Sequence, residues 1–127
     1  MSILITGGAG YIGSHVALHL IDNGFKPIII DNLITGSKQL IPQEARFIQC
    51  DIQDNELVMQ IIKEYNIDTV IHLAASTLVT ESINDPYKYY NNNTVNSMAF
   101  INLCGKLGIK NFIFSSTAAC YGSKHKG

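Results

Sequence analysis

Ile3-Leu4-Ile5-Thr6-Gly7-Gly8-Ala9-Gly10-Tyr11-Ile12-Gly13-Ser14 is the stretch that decides how this chain folds. A short apolar run enters a glycine-rich turn, and a segment with helical spacing follows. A strand that passes through such a turn into a helix is a device for holding a phosphate. The glycines remove side chains that would keep the backbone away from the ligand, and the helix start presents unpaired N–H groups with about half a positive charge. Gly7, Gly10 and Gly13 fit GxxGxxG, and Gly8, Gly10 and Gly13 also fit GxGxxG. Either pattern draws its weight from a surrounding alternation of strands and helices.

That alternation continues downstream. Ile3 to Ile5 read as the first strand, and residues 11–23 as a helix with Ile12, Val16 and Leu20 four apart and Asn23-Gly24 as its stop. Ile28 to Ile30 form the second strand after Pro27, and the polar segment 32–43, with Gly36 and Pro42, reads mainly as loop. Arg46 to Gln49 form a short third strand. Asp54 caps a helix with a buried stripe of Leu57, Val58, Ile61, Ile62 and Tyr65. Thr69 to Leu73 form the fourth strand. Pro86 opens one long helix that places Phe100, Leu103, Cys104 and Leu107 on one face and stops at Gly108. Phe112 to Phe114 form the fifth strand.

Strands one, two, four and five are continuous apolar runs, the pattern of strands covered on both faces by helices. Alternating β and α units then predict an α/β fold, a doubly wound, Rossmann-like parallel sheet of order 3-2-1-4-5, within a single domain over 1–127. Strand five would be an edge, and its apolar residues are unusual for a solvated one. The sheet is therefore expected to be truncated before its last strands.

Bulk properties exclude several classes of function. The 127 residues are 46% hydrophobic, enough for a globular core. Nine basic and ten acidic residues leave a net charge of −1, with no block of like charge, so neither nucleic acid nor a membrane surface is an expected partner. Cys50, Cys104 and Cys120 form no CxxC pair and read as free thiols of a reducing, cytoplasmic compartment. No leader or membrane-spanning run is expected.

Candidate ligand residues stand at the strand ends. Asp31 closes strand two, about 20 residues past the glycine turn, where a carboxylate accepts both ribose hydroxyls of an adenosine. It would repel a 2′-phosphate, so the expected cofactor is NAD rather than NADP. Asp51-Ile52 follows strand three, suited to the adenine amino group and ring, although Asp51 could equally cap a helix. Ala74 and Ala75 leave room for a ligand to pass, or for close helix packing. Ser115-Ser116-Thr117 ends strand five, with hydroxyls for the crevice or for the local backbone. His72, inside a strand, reads as a core histidine. His15 and His19 lack a third ligand and read as a solvated or packing face, so no metal is expected. In Tyr89-Tyr90-Asn91-Asn92-Asn93 either the residues are surface or one amide reaches the cofactor.

Taken together, TGGAGYIGSH at 6–15, DNL at 31–33, CDI at 50–52, HLAAS at 72–76, ES at 81–82, YYNNN at 89–93 and KNFIFSSTAACYG at 110–122 resemble UDP-glucose 4-epimerases of the extended short-chain dehydrogenase/reductase superfamily. The resemblance implies tightly bound NAD, a UDP-glucose or UDP-galactose substrate, transient oxidation at the sugar's C4, and homodimers through helices of the 87–107 region. By position it implies that Gly7, Gly10, Tyr11, Ile12 and Gly13 line the pyrophosphate. Asp31 and Asn32 would hold the ribose, and Asp51 with Ile52 the adenine. Leu73, Ala74, Ala75 and Thr77 would border the nicotinamide half, with Asn92 beneath it. Thr117 matches the Ser/Thr that positions the sugar's 4-hydroxyl. Thr77 departs from the lysine that some epimerases carry. The family's catalytic YxxxK helix and its sugar-nucleotide domain are absent from 1–127: Tyr121 belongs to the SSTAACYG element and is followed at position 125 by His. The fragment alone is expected to be inactive. Another nucleotide-sugar epimerase or dehydratase, or a non-catalytic dinucleotide-binding or association module, would share this architecture.

Overall fold

The structure, a computed structural model, describes residues 1–117, 120 and 122; Tyr121 and the stretch 123–127 lie outside the described residues. Five parallel strands, β1 (Ile3–Thr6), β2 (Ile28–Asp31), β3 (Arg46–Gln49), β4 (Thr69–His72) and β5 (Asn111–Phe114), form one sheet of order β3-β2-β1-β4-β5. Ile5 of β1 lies between Ile29 of β2 and Ile71 of β4, which sets the central register. All five carboxyl ends therefore lie along one edge.

The pleat sorts the apolar runs into two layers. Ile3, Ile5 and Ile29 face α1 (Tyr11–Asp22) and bury its Ala17. Leu4, Ile28, Ile30 and Val70 face the opposite side, where they meet α2 (Asn55–Glu64) and α5 (Ser97–Lys106) through Val58, Ile61, Ile62, Phe100 and Cys104. Asp54 caps α2 as its sequence predicts, accepting from the Leu57 N–H at 3.1 Å. Gly24 and Gly108 stop their helices with φ of +82° and +79°, a conformation only glycine adopts without strain.

Three elements differ from expectation. The long helix begins at Pro86, but α4 (Pro86–Tyr89) widens into a π-helical stretch (Tyr90–Asn96) before α5, and within it Asn92 and Asn93 bond Ser76 of the segment after β4. A short helix, α3 (Val79–Asn84), precedes it and has no buried residue, hence no apolar period to betray it. The apolar run of β5 is not covered on both faces: Phe112 packs on Phe100 of α5, whereas Ile113 and Phe114 are 55% and 51% exposed. Among the described residues, no helix is long and apolar enough to cross a membrane.

Candidate functional site

The glycine turn is fastened from several directions. Gly7 (φ +71°) donates its N–H to the Ile30 carbonyl at 2.9 Å and abuts the β4 end, where an added Cβ would lie 2.7 Å from the Ala74 nitrogen. At Gly13 a Cβ would fall 2.3 Å from the Gly7 carbonyl oxygen and 2.6 Å from the Gly8 Cα. Both glycines are thus required by close backbone packing. Gly10 differs, since its Cβ would meet only the Gly7 oxygen, at 3.3 Å. No side chain caps the N-terminus of α1 at Gly10, and Tyr11 and Ile12 beside it are exposed. Gly10 is thus the least crowded of the three glycines, and the uncapped amides beside it carry the partial positive charge of a helix start.

Asp31 is 9% exposed and already partnered. Its Oδ2 accepts from the Ala9 N–H at 3.0 Å, and its Oδ1 from the Leu33 N–H at 2.8 Å, which holds Leu33 at φ +62°. A carboxylate offers about four acceptor positions, so each oxygen keeps one. The same residue therefore ties the turn to β2 and retains acceptor capacity. Gly36 passes beside it, where a Cβ would sit 2.8 Å from Oδ1. Sequence reading did not single out Gly36, because only the returning loop creates the crowding.

Asn32 donates from Nδ2 to Asp51 Oδ2 at 2.8 Å and accepts from the Ile34 N–H. Asp51 also accepts from the Gln53 N–H at 2.9 Å, so it pins a turn, while Asp54 caps the helix. Ile52 is turned largely into the core. After β4, Leu73 and Ala74 are half-buried, whereas Ala75 and Thr77 are exposed. Asn92 donates to Ser76 Oγ at 3.0 Å. Thr117 follows β5 at the same edge and is exposed, its carbonyl accepting from the Cys120 N–H.

His72 is 2% exposed and links three elements. Its Nδ1 lies 2.6 Å from Thr6 Oγ1 and its Nε2 3.1 Å from Ser97 Oγ. Thr6 Oγ1 also accepts from the Ala74 N–H at 3.3 Å, which leaves its hydroxyl proton for Nδ1 and assigns the ring proton to Nε2. Burial pushes its pKa down to about 4. It is a neutral strut between the glycine turn, the β4 end and α5. Thr6 and Ser97 escaped sequence reading, since neither lies within a local spacing of His72. His15 Nδ1 bonds the Tyr11 carbonyl at 2.8 Å on the exposed side of α1. No group of three or more His, Cys, Asp or Glu that could hold a metal occurs among the described residues.

A doubly wound sheet with a glycine turn, a carboxylate and small residues gathered at the carboxyl edge is a Rossmann-like fold, the class that binds nucleotides at that edge. The chain belongs to the NAD dependent epimerase/dehydratase family, whose sequence profile matches residues 3–127. It is 43% identical over 122 residues to the UDP-glucose 4-epimerase of Lacticaseibacillus casei, covering 96% of this chain and 37% of that protein. The UDP-glucose 4-epimerase of Brucella ovis, solved in complex with NAD, superposes with a TM-score of 0.92 at 38% identity, over 98% of this chain and 38% of that one. The Thermotoga maritima enzyme, solved with UDP-glucose, gives a TM-score of 0.90 at 39% identity, over 100% of this chain and 41% of that one. The chain thus spans little more than a third of these relatives.

Proposed function

We propose that this chain is the NAD-binding portion of a UDP-glucose 4-epimerase, folded as a single domain over 1–127. One observation supports the reading: of the three spaced glycines, Gly7 and Gly13 are taken up by backbone packing, and Gly10 is the least crowded, with one backbone oxygen at 3.3 Å, at the uncapped start of α1, where the free amides form an anion cradle. A pyrophosphate fits that cradle, lined by Gly7, Gly10, Tyr11, Ile12 and Gly13. Asp31 accepts from the adenosine ribose, Asn32 stands beside it, and Asp51 with Ile52 borders the adenine. Leu73, Ala74, Ala75 and Thr77 border the nicotinamide half, with Asn92 beneath. The dinucleotide these residues would hold would supply reversible hydride acceptance for a sugar carbon in the longer enzyme. Thr117 orients the sugar's 4-hydroxyl. No tyrosine in 1–127 is followed four positions later by lysine, so proton transfer falls to a part of the longer enzyme. The free thiols of Cys50, Cys104 and Cys120 suit a reducing cytoplasm.

Calorimetry on the purified chain tests the reading. NAD is expected to bind, and NADP at least about tenfold more weakly, because the 2′-phosphate meets the Asp31 carboxylate. Equal affinities would sink the assigned role of Asp31. Heat from neither dinucleotide would sink the cofactor assignment.

We further infer that two copies pair through the outward side of the helix that runs from Pro86. Tyr87, Tyr90, Met98 and Ile101 are exposed along it, an apolar stripe costly to leave in water.

A further inference from the structure

The segment 74–78, which joins β4 to α3, has no regular structure of its own, yet its backbone is held at two points by one helical element. Ser76 donates its N–H to Asn93 Oδ1 at 2.8 Å, and its carbonyl accepts from Asn93 Nδ2 at 2.8 Å. A single carboxamide thereby satisfies both polar groups of one peptide residue, as a neighbouring strand would. Two residues on, the Leu78 N–H donates to the Tyr89 hydroxyl at 3.0 Å. That hydroxyl donates in turn to Glu81 Oε2 at 2.8 Å, and the other Glu81 oxygen pairs with Lys88. Tyr89 and Asn93 are four apart, one side of α4 and the π-helical stretch. The anchored residues, Ser76 and Leu78, alternate with Ala75 and Thr77, whose side chains are exposed.

We propose that Tyr89 and Asn93 are positioning residues that hold the 74–78 segment in register against the nicotinamide half of the cofactor. The inference rests on the NAD-binding reading above. Neither residue needs to touch the dinucleotide. Their function is to remove the freedom of a loop that would otherwise have to be ordered at the moment of binding, so that Ala75 and Thr77 meet the ligand already placed. The wide turn of the π-helical stretch accompanies this use of the asparagine run: Asn92 reaches Ser76 Oγ while Asn93 takes the Ser76 backbone. Glu81 is a third member at one remove, since it fixes the direction of the Tyr89 hydroxyl.

The test compares two ligands on the 127-residue chain: NAD, and ADP-ribose, which lacks the nicotinamide. Tyr89→Phe and Asn93→Ala are each expected to weaken NAD at least about fivefold and ADP-ribose less than about twofold. Amide exchange at Leu78 should accelerate in Tyr89→Phe, and at Ser76 in Asn93→Ala. Tyr87→Phe, on the same helix but exposed, should change neither ligand. Circular dichroism confirms that each variant is folded, and Asn93→Asp, which keeps an acceptor for the Ser76 N–H but sets a carboxylate oxygen against the Ser76 carbonyl, should weaken NAD at least as much as Asn93→Ala. Equal loss of both ligands, or loss of neither, would overturn the positioning role. A wild-type chain that binds ADP-ribose as tightly as NAD would also overturn it while leaving the cofactor reading intact. Binding of neither ligand by the wild-type chain would overturn that reading, and this inference with it.

Discussion

Gly10 and Gly13 are three residues apart in one turn, and they answer to different demands. The Gly13 Cβ position is blocked by backbone atoms at 2.3 and 2.6 Å, which cannot move aside as a side chain would. Gly13→Ala should therefore cost about 2–3 kcal/mol, read as a lower urea midpoint. Gly10→Ala meets one oxygen at 3.3 Å and should cost about 1 kcal/mol or less, while NAD affinity falls at least about tenfold. Parallel losses of stability in both variants would contradict this division. His72 makes a second prediction. Its ordinary value is 6.5 and its folded value about 4, so between those limits the unfolded chain binds a proton that the folded chain refuses. Stability should fall as pH drops through that window, by up to about 3 kcal/mol, with no contribution from this group well above 6.5. Urea titrations at several pH values check it. A His72→Gln chain, whatever its absolute stability, should lose this part of the slope, and an unchanged slope would refute the assignment.

Among the elements, the legible ones were those with local signals: strands with continuous apolar runs, Asp54 as a cap, Pro86 as a helix opening, and glycine stops at positions 24 and 108. These depend on residues within a turn or two of each other. α3 was not legible because Val79 and Ile83 are both exposed and define no buried face. The π-helical stretch was not legible either, since what accompanies it is a contact to Ser76, a residue of another element. Of the site residues, Asp31 was legible by its place after β2, whereas its bond to the Ala9 N–H was not. The outward stripe on the helix carries its own prediction. Met98→Glu places a charge in the proposed contact between copies, and sedimentation should show a shift towards monomer while the far-ultraviolet circular dichroism spectrum stays unchanged. A wild-type chain that is monomeric at all concentrations would remove the pairing.

At the scale of the whole molecule, the parallel order brings the carboxyl ends of five strands to one edge of the sheet. The purified 127-residue chain is expected to show no turnover of UDP-galactose in a coupled assay, since none of its tyrosines is followed four positions later by a lysine to support proton transfer. Measurable turnover would overturn that expectation. The sequence by itself determined the fold class, the strand order and the place of the glycine turn between β1 and α1, because apolar period, glycine spacing and capping are local properties of the chain. Only the tertiary structure decided which glycine is least crowded, how Asp31 and Asp51 are already engaged, that His72 braces Thr6 against Ser97, and that Tyr89 and Asn93 grip the segment after β4. Those pairings join residues far apart in the chain, and their geometry follows from how the layers pack, which no local spacing encodes.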